Sequence, residues 1–260
     1  MDLIDTHAHL TFEQYTDTLS EVLNRSKAAG VSRWVTVGTN LEDSEKAVSL
    51  AGENPQLYAA VGIHPHDART VTDSDIRRLK ELATDEKAVA IGETGLDFHY
   101  YYSDQQSQEN VFKQHISLAA ELDLPLIIHS RNAFEQTLDI LENAAALPKR
   151  IVFHCFSGSA EQAQELTDKG FYISFTGMVT FKNAHAARQA VQAVPARQIM
   201  VETDCPFMSP EPMRKQRTNE PALMIHTARK LAELKEIDEE EFADLTTATA
   251  EQFFSLPPAE

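Results

Sequence analysis

Short apolar or β-branched runs recur along the chain at Leu3–Thr6, Trp34–Val37, Ala59–Ile63, Ala88–Ile91, Leu126–Ile128, Ile151–Phe153, Phe171–Phe175 and Ile199–Val201. Each is too short for a stable helix and predicts a buried strand. Between them, apolar positions return every three or four residues. Leu19, Val22 and Leu23 form one such set and Ile76, Leu79 and Leu82 another; Phe112, Ile116, Ala119 and Leu122, then Phe134, Leu138 and Leu141, follow. That spacing lines one face of a helix. Gly30 suits the end of the first, and Ser159, Glu161 and Gly170 bracket a further helix by cap chemistry. Eight strands alternating with helices predict a parallel (β/α)8 TIM-type barrel; a doubly wound open sheet shares the alternation and is the alternative. After Asp204 a loop with Pro206, Pro210 and Pro212 leads to two extra C-terminal helices, over Pro221–Leu234 and Glu239–Phe254. The acidic run from Glu236 to Glu241 belongs at the start of the last helix, where negative charge is favourable. No linker, repeat or low-complexity tract divides the chain, so residues 1–260 are expected to form a single domain.

Composition narrows the class. Hydrophobic residues at 42% and charged residues at 24% exclude wholesale disorder. No apolar run approaches the ~18 residues of a membrane span. The start, Met1-Asp2-Leu3-Ile4-Asp5, lacks the basic and apolar regions of a secretory leader, and Cys155 and Cys205 are too few for a disulfide scaffold. A cytoplasmic enzyme is expected. The formal charge of −17 argues against coating nucleic acid through many basic contacts.

Candidate chemistry starts at His7-Ala8-His9, which closes the first strand. Strand alternation turns residues i and i+2 to one side, so both imidazoles can serve one metal. Glu93, His129, His154 and Asp204 each follow a later apolar run, separated as three, one, one and two βα units of about 25–40 residues would require. The six therefore fall at the C-terminal ends of strands 1, 4, 5, 6 and 8, the face on which barrels carry their active sites. Without a metal, so many imidazoles and carboxylates in one place would be costly. They exceed one tetrahedral shell, so two divalent ions are expected, with Glu93 as the bridge. The mixed nitrogen and oxygen set suits Zn²⁺, Mn²⁺ or Fe²⁺ better than Mg²⁺ alone, and Mg²⁺ remains a candidate through availability.

With these motifs in place the chain resembles the TatD family of metal-dependent deoxyribonucleases, within the amidohydrolase superfamily, over essentially its whole length. The matching stretches are Leu3-Ile4-Asp5-Thr6-His7-Ala8-His9-Leu10, Gly62-Ile63-His64-Pro65-His66, Ile91-Gly92-Glu93-Thr94-Gly95-Leu96-Asp97, Pro125-Leu126-Ile127-Ile128-His129-Ser130-Arg131, His154-Cys155-Phe156-Ser157-Gly158 and Glu202-Thr203-Asp204-Cys205-Pro206. The resemblance implies a barrel, a two-ion site and 3′→5′ hydrolysis of DNA, single-stranded or at 3′ ends. It also implies metal-ligand roles for His7, His9, Glu93, His129, His154 and Asp204. Thr11 departs from the family's usual Asp or Asn, and Thr249 and Gln252 replace a common Asn and Arg. None of the three is a ligand position.

Other residues near the motifs suit substrate. His64 and His66 flank Pro65 past strand 3 and suit phosphate contact or proton transfer, or the orienting of neighbouring ligands. Arg131, two residues beyond His129, suits bidentate phosphate binding, and Asp97 suits orienting a neighbouring His or Arg. Arg217, with Arg214 and Lys215, would either guide phosphate near the barrel mouth or belong to an ordinary solvated loop. Tyr100, Tyr101 and Tyr102 follow Glu93 and would either stack unpaired bases or pack on the next helix. Cys155 and Cys205 adjoin ligands but face away from them, as small buried residues do.

The expected reaction is metal-assisted phosphodiester hydrolysis, with Asp204 taking a proton from water and Arg131 plus a protonated His64 or His66 meeting the phosphate charge. The same ligand set would also serve a small-molecule amidohydrolase acting on an amide, ester or lactone, or a metal-bound adaptor without turnover. Two divalent ions would concentrate positive charge where phosphate approaches, within an acidic protein. DNA binding is therefore expected to depend weakly on salt. Measured against ionic strength, a slope equivalent to about six or more released ions would contradict this small footprint.

Overall fold

The computed structural model describes residues 2–258; Met1, Ala259 and Glu260, at the ends of the expected 1–260 domain, lie outside the described residues. The apolar runs form strands β1 (Leu3–Ala8), β2 (Val31–Val37), β3 (Leu57–Val61), β4 (Ala88–Asp97), β5 (Leu126–Arg131), β6 (Ile151–Phe153), β7 (Tyr172–Phe175) and β8 (Ile199–Val201). The helices are α1 (Leu19–Ala28), α2 (Leu41–Glu53), α3 (Asp73–Leu82), α4 (Gln105–Leu122), α5 (Phe134–Glu142), α6 (Ala160–Asp168), α7 (His185–Ala193), α8 (Met224–Lys235) and α9 (Glu239–Phe254). The strands follow one another in sheet order from β1 to β8. Parallel pairing, one helix per crossover, and the bond from β1 to the chain beyond β8 (Ala8 beside Cys205) define a (β/α)8 barrel.

Two compact units are distinguished within the chain. One comprises Val37–His154 and the other the segments on either side of it. In the flanking unit, β1 pairs with β2 in the register Leu3↔Val31 and Asp5↔Trp34. The indole of Trp34 donates to Ser26 Oγ (2.9 Å), which itself donates to Val31 O (2.9 Å), fixing α1 against β2. Helix α9 lies against β1 and β8, burying Phe242, Ala243, Ala250 and Phe253. Arg33 of β2, only 4% exposed, donates to Glu251 at 2.7 Å and to Pro257 O at 2.9 Å, tying α9 to the first strands. The expected acidic cap is present: the Asp238 side chain accepts from the N–H groups of Glu240 and Glu241. On α6 the capping box uses Ser159 with Gln162, and not Glu161, because the reciprocal partner belongs three residues in.

In the Val37–His154 unit, two features depart from the apolar pattern. Helix α2 escaped it because its buried residues are Asp43, Ser44, Ala47 and Ala51, and α7 of the other unit is similar with Ala187, Ala190 and Val191. Small side chains leave little periodic signal. Strand β4 runs to Asp97, well beyond the expected Ile91, and all ten of its residues are buried. The extension carries Gly-Glu-Thr-Gly and pairs with β5 as Thr94↔Ile128, Gly95↔His129 and Asp97↔Arg131. A buried polar strand is the signature of a site.

Helix α4 contributes one buried polar brace. His115 accepts from the Ile63 N–H through Nε2 (3.1 Å) and donates through Nδ1 to Val111 O (2.8 Å), which fixes the neutral tautomer next to His64. Burial pushes its imidazole down to about 4, against a smaller upward pull from the Val111 bond. The unfolded chain then takes up a proton near pH 6.5 that the folded chain refuses until about pH 4. This share of stability is present above pH 6.5 and is lost as pH falls through that window, about 3 kcal/mol in all. Denaturant titrations should show the wild type losing more stability than His115→Gln between pH 7 and 4; equal slopes would contradict the assignment.

Candidate metal centre

In the flanking unit the close of β1 faces the end of β8. His7 and His9 stand two residues apart, and their Nε2 atoms lie 3.9 and 3.2 Å from Asp204 Oδ1. One ligand atom from each of the three lies within 4.8 Å of the others. Asp204 takes a left-handed backbone, φ 51°, which Asp tolerates better than most residues. Its N–H donates to His7 O at 2.9 Å, so the two ligand segments are bonded through the main chain.

Asp5 clamps them further. Its carboxylate accepts from Thr203 N (3.0 Å), Thr203 Oγ1 (2.5 Å) and His7 N (3.3 Å). Burial pushes the Asp5 carboxyl up to about 7, with those bonds opposing. Its role was legible only in part. Asp5, His7 and His9 alternate along one strand, but the Thr203 partner lies 198 residues away. Phe12 stacks on His9 at 4.8 Å between centroids, and half-exposed Phe207 meets the same ring edge-on at 6.1 Å.

In the Val37–His154 unit three imidazoles converge on one carboxylate. Glu93 Oε1 lies 2.6 Å from His154 Nε2, 2.8 Å from His129 Nδ1 and 3.6 Å from His64 Nε2. Burial alone would raise the Glu93 carboxyl; the His154 and His64 charges and the bonds from His129 and His154 outweigh it and hold the group well below the usual carboxylate range. His129 is also bonded through Nε2 to Asp97 Oδ2 (3.2 Å), which His66 Nε2 shares at 3.0 Å. Burial would lower His129, and the bonds to Asp97 and Glu93 reverse this and raise it. Asp97 thus orients two histidines, as its position suggested.

His64 caps the 3-10 turn Pro65–Thr70, its Nδ1 accepting from His66 N at 3.1 Å. Burial drives its imidazole well below the ordinary value, more than Glu93 offsets. Its nitrogen also lies within ligand distance of Glu93 and His129, 4.8 Å or less between all three.

Glycines make this convergence possible. Gly92 and Gly95 have φ of 137° and 136°. A Cβ on Gly95 would sit 2.1 Å from His129 O, and one on Gly92 would sit 2.6 Å from Ile127 O. The β4 backbone therefore presses against β5 where Glu93 meets His129.

The donor chemistry fits divalent cations in both clusters: imidazole nitrogens face carboxylate oxygens, and a cation can replace protons between them. Of the residues suited to substrate, exposed Arg131 stacks its guanidinium over Tyr100 at 4.9 Å and forms no ion pair among the described residues. Arg217 is exposed in the other unit, while Arg214 lies over Phe181 at 3.5 Å. Cys205 is fully buried, with burial pushing its thiol up, whereas Cys155 is half-buried beside Thr176 and Met208. The buried Glu202 accepts from Cys155 N and Ser174 Oγ, both at 2.6 Å, a partnership with no local signal.

A parallel barrel that gathers histidines and carboxylates at the ends of its strands defines the class of metal-dependent hydrolases. The model of the TatD related DNase family matches residues 4–255, and the chain belongs to that family. It is 45% identical over 254 residues to the uncharacterized metal-dependent hydrolase YabD of Bacillus subtilis, covering 98% of this chain and 99% of the relative. It is 35% identical to the 3′-5′ ssDNA/RNA exonuclease TatD of Cronobacter sakazakii, covering 97% of each. The crystal structure of YJJV, a TatD homolog from Escherichia coli, superposes with a TM-score of 0.92 at 29% identity, covering 98% of each chain.

The β4–β5 contact yields a stability test. Gly170, φ 82°, has nothing within 4 Å of a built Cβ, so Gly170→Ala should cost only about 1 kcal/mol of backbone strain. Gly95→Ala should cost about 3 kcal/mol or more, since main chain must move. Equal losses in chemical denaturation would show that the close approach is not required.

Proposed function

We propose that the protein is a divalent-metal-dependent phosphodiesterase, specifically a 3′→5′ deoxyribonuclease acting on single strands or 3′ ends. The observation that carries this reading is the convergence of three imidazoles on the buried Glu93 carboxylate, with a second cluster of His7, His9 and Asp204. His7, His9 and Asp204 would hold one ion; Glu93, His129 and His154 would hold the other. Bound ions of this kind polarise a phosphoryl group and lower the pKa of water toward neutrality.

The chain's own groups supply the rest. Asp204 orients the water and accepts its proton. His64 would offer an N–H to a phosphate oxygen, and His66, held by Asp97, lies beside it with ring centroids 4.2 Å apart. Arg131 presents a planar fork to the phosphate, and Arg217 guides the strand. The name of the Cronobacter relative supports the phosphodiester substrate. Among the described residues no helix is long and apolar enough to cross a membrane.

End-labelled single- and double-stranded DNA, incubated with wild type and His129→Ala across a metal titration, tests the proposal. Stepwise 3′ shortening that requires metal, and falls about 100-fold or more in the variant, is expected. Intact DNA alongside turnover of an amide or lactone would replace the proposal with the small-molecule reading. Capture of a protein partner without turnover of any substrate would replace it with the adaptor.

A further inference from the structure

Tyr100, Tyr101 and Tyr102 are 41%, 74% and 60% exposed, three of the six large hydrophobic side chains left in solvent among the described residues. Three adjacent exposed rings are unusual unless something covers them. The expectation that they pack on the next helix is not met.

Their exposure is built in by the loop's anchors. At one end Asp97 Oδ1 accepts from His99 N (2.8 Å) and Tyr100 N (2.9 Å). At the other, Ser103 Oγ donates to His66 O (2.7 Å) and accepts from Arg69 N (3.0 Å). The fully buried Gln108 joins both ends, accepting from Asp97 N and donating to Ser103 O. From this frame His99 and the three tyrosines are exposed, with the His99 ring edge-on to Tyr100 at 4.5 Å. Tyr100 and Tyr102 lie nearly parallel, 16° apart with centroids at 5.7 Å, and both stand edge-on to His66. His66 shares Asp97 with His129, so the rings begin one histidine away from the Glu93 cluster.

Beside them lies a cavity of about 420 Å³, lined by His66, Asp67, Arg69, Thr70, Tyr101 and Tyr102. That volume suits a nucleotide-sized ligand. The exposed Arg69 guanidinium has no ion-pair partner among the described residues, and Arg131 stands over the Tyr100 ring. Cations and aromatic faces thus alternate, the combination that follows a strand with unpaired bases. In a duplex those faces are already stacked.

We infer that Tyr100–Tyr102, with Arg69 and Arg131, form a stacking shelf for unpaired nucleobases that selects single strands over duplex. This rests on the proposed phosphodiesterase reading and deepens it. Asp67 offsets Arg69 in the lining, so the shelf's affinity comes from ring stacking more than from charge.

The test uses the metal-loaded protein and a phosphorothioate oligo-dT, which resists hydrolysis. Binding is read by fluorescence anisotropy beside an abasic strand of equal length and an oligo-dT·oligo-dA duplex. Tyr101→Leu/Tyr102→Leu should weaken oligo-dT binding about tenfold or more and leave abasic-strand and duplex binding unchanged. Tyr102→Trp should retain it. Turnover of bis(4-nitrophenyl) phosphate that falls in the double variant as far as oligo-dT binding does would overturn the inference, since the loop would then act through the metal cluster. Unaltered oligo-dT binding would overturn the inference, as would a parallel loss with the abasic strand, which would mean the loop only supports the metal cluster. Self-association lost in the double variant with oligo-dT binding intact would assign the rings to a protein interface and overturn it too. If wild type hydrolyses no phosphodiester the phosphodiesterase reading fails, while the binding comparison still decides the shelf.

Discussion

A buried carboxylate must be compensated, and in this protein Glu93 is compensated by imidazoles. Its Oε1 has nitrogens of His154, His129 and His64 within 3.6 Å, each delivered by a different strand or the turn after it. An isolated carboxylate at this depth would neutralise itself or unfold its surroundings. The packing of β4 on β5, the two left-handed glycines and the Asp97 anchor for His129 and His66 all serve this one convergence. A strand of ordinary residues could not lie so close, since a Cβ at Gly95 would occupy the space of the His129 carbonyl.

The flanking unit solves a related problem differently. Here the carboxylate that faces the imidazoles, Asp204, is carried on a left-handed residue, and a second buried acid, Asp5, fastens the two segments that bear the ligands. Asp5 bonds to Thr203 and to the His7 N–H, so it orders the backbone and not a ligand atom. Cations bound only to the folded state would add to its stability.

Much of this was legible in the sequence, and the omissions share a cause. Strand positions followed from apolar runs, and the six expected ligands followed from residues placed just after those runs. Where burial is polar or small, hydrophobic pattern fails: the second half of β4, with Gly92, Glu93, Thr94 and Gly95, and the alanine-faced α2 and α7 left no apolar period. Braces whose partners lie far along the chain were equally silent. His115 reaches Ile63, 52 residues away, and Glu202 reaches Cys155, 47 residues away. His64 suited phosphate contact or proton transfer; that its Nε2 lies 3.6 Å from Glu93 Oε1 is a juxtaposition no sequence spacing reports.

The central claim is that each of the two histidine–carboxylate clusters holds its own divalent ion. Metal content per chain, measured by mass spectrometry after equilibration with metal and gel filtration, tests it most directly. Two ions in the wild type, with one retained in His9→Ala and one in His129→Ala, is the expected result. Fewer than one ion in the wild type, or a single ion lost in both variants, would contradict it.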